Sequence, residues 1–211
     1  LCSVSGEGVG LALGTAQGVV KRVTPEVPTS ADSWSVIRLD DGDQVVGAVE
    51  LSSGTEELVF ITSDAQLLHF GADAVRPQGR PAGGMAGIRL SDGARVIHFT
   101  AVDPRRDNVV VTAAGSTGAL PGTSTATVKV TPLSEYPGKG RATGGVRAQR
   151  FLKGEDVLIL GWVGPAPARA ATPAGSPAPL PPVDERRDAS GLPTSKPVAA
   201  VGGPMSIGGP A

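Results

Sequence analysis

The feature that most constrains the fold is an internal repeat. Three stretches, VIRLDDGDQVVGAVEL (36–51), GIRLSDGARVIHFTAV (87–102) and AQRFLKGEDVLILGWV (148–163), follow one plan: an apolar arm, a tight turn ending in Gly42, Gly93 or Gly154, and a second apolar arm. Those glycines lie 51 and 61 residues apart. Each stretch is preceded by a further strand pair: VGLALGTAQGVVKRV (9–23), ELVFITSDAQLLHF (57–70), and NVVVTAAGSTGAL (108–120) followed by TVKVTPL (127–133). Asp, Gly and Ser at the turns supply the backbone angles that short hairpins require. The pattern predicts an all-β chain with four strands per unit.

A four-stranded unit of about 40 to 50 residues has the period of propeller blades, in which each small sheet covers its neighbour's apolar face. Leu58 and Phe60 alternate with Val59 and Ile61. Such continuous apolar sequence is expected of a strand buried on both faces between adjacent sheets. About three blades are expected over residues 1–163. An ordinary sandwich would explain the strands, but not the Gly-Arg segments described below.

Composition agrees with short strands and turns rather than a helical bundle: 3% aromatics, 30 Gly and 19 Pro. From Gly164 the chain reads GPAPARAATPAGSPAPLPPVDERRDASG, without apolar periodicity, so a disordered tail is expected over 164–211. Within it, KPVAAVGG is either a short edge strand near 197–201 or an incidental apolar run. Cys2, the single cysteine, excludes an internal disulfide framework and makes a reducing compartment the default. Neither a membrane-length apolar run nor a signal-peptide pattern is present, and the start at Leu1 suggests a piece of a longer polypeptide.

The formal charge of -1 conceals an asymmetry. Residues 1–75 sum to -8, residues 76–106 to +4 and residues 107–163 to +2. An anionic partner is therefore expected to meet the second half of the chain.

Two segments concentrate that positive charge on glycine-rich sequence, VRPQGRPAGGMAGIRLSDGARVI (75–97) and EYPGKGRATGGVRAQRFLKGEDVLI (135–159). Each contains Gly-Arg-x-x-Gly-Gly, at Gly79 to Gly84 and Gly140 to Gly145. With GVVKRV (18–23), they resemble the blades of the C-terminal domain of gyrase A and its topoisomerase IV counterpart, the DNA-breaking chains of type IIA DNA topoisomerases, in a likeness running through residues 8–163. The resemblance implies a β-pinwheel whose neighbouring blades exchange strands and whose basic rim wraps or guides double-stranded DNA. It implies two protein partners, the remainder of the DNA-breaking chain and a separate ATPase chain. It also implies a cytoplasmic place on the nucleoid, and no membrane. No cofactor is implied in this stretch, while magnesium and ATP serve the full enzyme. Further blades and the breakage machinery would lie upstream of Leu1 or on the partner chain.

The residue chemistry agrees with that role. Glycines without Cβ let backbone approach a phosphate, and arginine adds a charged fork of donors. The residues expected to contact phosphate are Arg76, Arg80, Arg89, Lys139, Arg141 and Arg147, with Arg150 and Lys153 next. One departure stands: the family's wrapping box, Gln-(Arg/Lys)-Arg-Gly-Gly-(Arg/Lys)-Gly, is matched by neither QGRPAGGMAG nor KGRATGGVRA. The alternative is a propeller-like scaffold that binds a protein through its acidic first blade.

Other constellations read as structural. Tyr136, the only tyrosine, lies between Glu135 and Pro137 in a turn, whereas the family's DNA-linking tyrosine lies in the upstream breakage domain. His69 and His98 sit in strands without a third metal ligand. Asp40, Asp41 and Asp43 cluster at a turn, where Asp belongs on conformational grounds. GTAQGVVK lacks the Gly-Lys-Ser/Thr ending of a P-loop, and GKGRATG precedes a strand instead of a helix.

Overall fold

A computed structural model describes residues 8–26, 28, 30–118 and 126–204. In chain order the strands are β1 (Leu11–Thr15), β2 (Val19–Val23), β3 (Val45–Glu50), β4 (Glu57–Thr62), β5 (Gln66–Gly71), β6 (Pro77–Gln78), β7 (Met85–Ala86) and β8 (Val96–Val102). There follow β9 (Asn108–Gly115), β10 (Thr127–Pro132), β11 (Val146–Arg147), β12 (Val157–Pro165), β13 (Arg169–Ala171), β14 (Pro177–Ala178), β15 (Leu192–Pro193) and β16 (Ala200–Gly202). Two 3-10 turns, Ala72–Ala74 and Leu133–Glu135, are the helical elements among the described residues.

Three sheets repeat one design. Hairpins β1-β2, β4-β5 and β9-β10 form their centres, and β3, β8 and β12 pair antiparallel with β1, β4 and β9. The outer edge of each comes from later in the chain: β6 and β7 lie on β2, β11 on β5, and β15 on β10. The segments carrying these outer strands, residues 72–95, 133–156 and 179–199, act as straps that bind each sheet to the next repeat. A fourth sheet has the order β14-β13-β16.

Buried side chains fill the spaces between successive sheets. Leu58 and Phe60 join one cluster with Ala12, Val20, Phe70 and Phe99, while Val59 and Ile61 join another with Val110, Leu158 and Val163. All four of these β4 residues are 0% exposed, as the double-sided apolar pattern requires. Phe60 and Phe99 pack with ring centroids 4.8 Å apart. Gly14 gives Phe99 its place, since a Cβ there would lie 2.2 Å from the ring.

Two expectations change. The arms flanking Gly42, Gly93 and Gly154 do not form hairpins. The turns exist, closed by Asp43 N–H to Asp40 O, Ala94 N–H to Ser91 O and Glu155 N–H to Leu152 O. The arm after each turn, however, pairs with the hairpin before it, while the arms before Gly93 and Gly154 belong to straps and the arm before Gly42 rests on the first strap. Sheets of four or five strands therefore arise by exchange between repeats.

Nor is the proline-rich region a disordered tail. Residues 164–204 carry the end of β12 and all of β13 to β16, with Ala178 and Val198 buried against Val111, Val128 and Val130. Prolines are tolerated because Pro165, Pro177 and Pro193 stand at strand ends, where a missing N–H costs least. Of the two readings open for 197–201, the strand is the one formed: it spans Ala200–Gly202 and pairs with β13. Residues 205–211 lie outside the described residues.

Candidate nucleic-acid interface

Strand register makes the straps comparable position by position. Met85 pairs with Val20, Val146 with Leu67, and Leu192 with Val128. Counted back from these pairs, Arg80, Arg141 and Arg187 occupy one position, and Gly84, Gly145 and Gly191 another. Each loop, 79–84, 140–145 and 186–191, stands off the outer edge of its sheet beside the middle of the outer hairpin strand.

At the first loop the next residue of β2, Lys21, is 0% exposed. Its ammonium donates to the carbonyls of Val36, Arg80 and Ala82 at 2.8, 2.8 and 2.7 Å. Three carbonyl dipoles thus replace the water lost by a buried cation, and the cation in turn sets the loop's path. Burial pushes the Lys21 pKa below its ordinary value. Lys129 of β10 repeats the device, with Nζ donating to the Arg186 carbonyl at 3.1 Å and to the Arg187 carbonyl. Burial moves it down to about 8, against the opposing pull of Asp184 and Asp188. Sequence reading misses both lysines as determinants of the loops, because nothing local says which strand a strap will lie on.

The middle sheet has Leu68 at this position, buried in the apolar core. The Gly140 to Gly145 loop is held from outside instead. Arg141 Nη1 donates to the Ala86 carbonyl at 2.6 Å and Ala142 N–H to the Gly87 carbonyl at 2.6 Å, while within the loop Thr143 Oγ1 donates to the Gly140 carbonyl at 2.8 Å. Arg141 therefore spends part of its donor set on bracing. Among the described residues the Arg80 guanidinium has no hydrogen-bond or ion-pair partner.

One backbone contact recurs three times: Arg38 N–H to Ala82 O at 3.3 Å ties the segment before β3 to the first strap, while Arg89 N–H to Thr143 O at 3.0 Å and Arg150 N–H to Ala189 O at 3.0 Å join successive straps. These junctions bring Arg89 of the first strap beside the loop of Arg141 in the second. Arg76, Arg89, Lys139, Arg147, Arg150 and Lys153 are exposed, while Arg80 and Arg141 are half-buried. Lys153 stands apart from the loops, in the turn whose Asp156 N–H meets Gly115 O at the tip of β9. Arg150 faces Asp188 at 3.8 Å.

The remaining titratable groups serve packing. His69 lies between Glu57 Oε2 at 2.7 Å and the Tyr136 carbonyl at 2.8 Å. His98 Nε2 accepts the Val163 N–H at 3.2 Å, and burial holds its pKa down at about 4. Tyr136 is 2% exposed, its hydroxyl donates to the Ala148 carbonyl at 3.2 Å, and burial raises its pKa. Asp43 Oδ1 accepts the N–H groups of Gln17 and Gln44, which fixes the turn. Among the described residues no group of His, Cys, Asp and Glu is arranged to hold a metal ion, and no helix is long and apolar enough to cross a membrane.

The comparisons agree with this architecture. The family model for the DNA gyrase C-terminal domain, a β-propeller, matches residues 56–103 and 122–159. The DNA gyrase A protein of Escherichia coli K12 is 35% identical over 159 residues, 74% of this chain and 17% of that protein's length. The crystal structure of the C-terminal domain of DNA topoisomerase IV superposes with a TM-score of 0.72 at 21% identity, covering 90% of this chain and 60% of that one. The DNA gyrase A C-terminal domain gives a TM-score of 0.67 at 16% identity, with 90% and 64% covered. These two likenesses speak to the fold, and the sequence match carries the kinship. Through its exchanged strands and the sequence it shares with DNA gyrase A, the chain belongs to the family of DNA gyrase C-terminal β-propeller domains.

Proposed function

We propose that this chain is a DNA-binding part of the gyrase A type of chain in a bacterial type IIA DNA topoisomerase, and that it holds or guides a duplex along the strap edge. The full enzyme would break and rejoin DNA elsewhere, with magnesium, ATP and a separate ATPase chain, in the cytoplasm on the nucleoid. The observation that carries the reading is the junction at Arg89 and Thr143. It makes the first strap, which carries Arg76, Arg80 and Arg89, contiguous with the second, which carries Lys139, Arg141 and Arg147.

Contacts of this kind address phosphates rather than base edges, so they position DNA without reading its sequence. For about five contacts, log affinity falls with log salt at a slope near -4 to -5. Fluorescence anisotropy on several unrelated duplexes over a salt series tests this. The reading expects that slope for every sequence, and a common loss of affinity when Arg80 and Arg141 are both replaced by Ala. Flat salt dependence overturns it. Absence of duplex binding at low salt favours a protein-binding scaffold instead, for which the acidic first repeat, with exposed Asp32, Asp40 and Asp41, is the contact.

A further inference from the structure

The loop 186–191 lies in the region whose composition suggests disorder, yet it reproduces the first loop in detail. Arg187 holds the position of Arg80, and Lys129 braces the loop from within as Lys21 braces the first. Gly191 holds the position of Gly84, and a Cβ there would come within 2.7 Å of Gln149 Nε2 and 2.9 Å of Thr127. Arg150 joins the loop through its N–H to Ala189 O and a parallel bridge to Ser190, as Arg89 joins the second loop. The difference is charge. Where the first two loops have Pro81 and Ala142, the third has Asp188, whose Oδ2 faces Arg150 Nη2 at 3.8 Å. Asp184 in the same strap engages Arg186 at 2.9 Å.

We propose that Arg187 and Arg150 form a third phosphate-binding station, and that Asp188 opposes its occupancy by holding a carboxylate against the Arg150 guanidinium that a DNA phosphate would engage. The proposal rests on the DNA-binding reading above. Arg150 and Asp188 are both more than half exposed, at 60% and 54% of their side chains, so their pair is weak and open to exchange. A phosphodiester can displace the carboxylate from Arg150, but the nearby negative charge remains and lowers the return. Asp188 thus tunes affinity at the end of the basic edge and does not abolish it.

The test uses the whole chain, a fluorescent duplex and a salt series, with Asp188→Asn, Arg187→Ala and the double variant. Asp32→Asn serves as the control for removing one exposed carboxylate elsewhere. Asp188→Asn should tighten binding about 3- to 10-fold at low salt and steepen the salt slope by about 1. Arg187→Ala should weaken binding several-fold, roughly the loss of one phosphate contact, and cancel the gain from Asp188→Asn. If Asp188→Asn does no more than Asp32→Asn, or Arg187→Ala changes nothing while Arg80→Ala with Arg89→Ala abolishes binding, the third station is wrong and the DNA-binding reading stands. If the unaltered chain binds no duplex at any salt, both fall.

Discussion

The ammonium of Lys21 lies 2.7 Å from the carbonyl of Ala82, 61 residues further along the chain. A central hairpin of one sheet thereby shapes a loop that arrives only after the next sheet's hairpin has been laid down. The same ammonium reaches Val36 and Arg80, so one side chain ties three backbone segments of the first repeat.

Replacing Lys21 by Met should leave those carbonyls against an apolar tip and cost about 2 to 3 kcal/mol, the range for removing a charged partner from buried acceptors. Leu68→Met, at the corresponding position of the middle sheet, conserves volume and should cost less than about 1.5 kcal/mol. Urea unfolding of both variants checks the contrast. Equal stabilities would remove the bracing role.

The two arginines at the second junction should separate stability from binding. Arg89 makes its junction bond through the backbone, so Arg89→Ala should leave the unfolding midpoint unchanged and weaken duplex binding. Arg141 donates a side-chain bond to Ala86, so Arg141→Ala should lose about 1 kcal/mol of stability as well. Paired denaturation and anisotropy measurements read both effects.

Glycines in the second loop are unequal. Gly145 has φ +72°, and a Cβ there would lie 2.4 Å from the Leu67 carbonyl oxygen, on the strand that β11 joins. Gly145→Ala should cost about 3 kcal/mol through left-handed strain and overpacking. Gly140 has open space around its Cβ position, so Gly140→Ala should fall within about 1 kcal/mol of the parent in thermal melts.

His98 predicts an acid limb. As an acceptor for the Val163 N–H, the ring must be neutral when folded, and burial moves its pKa from 6.5 to about 4. The unfolded chain therefore binds more protons across that window. Stability contributed by the neutral ring is complete above pH 6.5 and is lost as pH falls toward 4, by an amount on the order of 3 kcal/mol. His98→Gln keeps an acceptor without titrating and should flatten this limb. A parent and variant with parallel pH profiles between 4 and 6.5 would rule the account out.

Some elements can be read without coordinates because their cause is local. Leu58, Val59, Phe60 and Ile61 announce a strand covered on both faces, and Gly42, Gly93 and Gly154, all at positive φ, mark real turns. The glycine-rich context of Arg80 and Arg141 also marks the loops that carry them. The arms beside those turns read as hairpins because adjacent strands joined by a tight turn look alike whichever edge each one pairs with. Composition misleads over residues 164–204 for a related reason. Short strands rich in proline cannot stand alone, but a neighbouring sheet can supply the buried face and the partners that their sequence lacks.

By itself, then, the order of residues determined an all-β repeat, its central hairpins, and which loops carry glycine and positive charge. Tertiary structure decided which sheet each strap closes, that Lys21 and Lys129 brace the first and third loops while Arg141 braces the second, and that Arg89 meets Thr143. The division has a physical cause. Turn angles and apolar alternation act between near neighbours in the chain, whereas an outer strand's hydrogen bonds and a buried ammonium's acceptors are chosen only when distant segments come together.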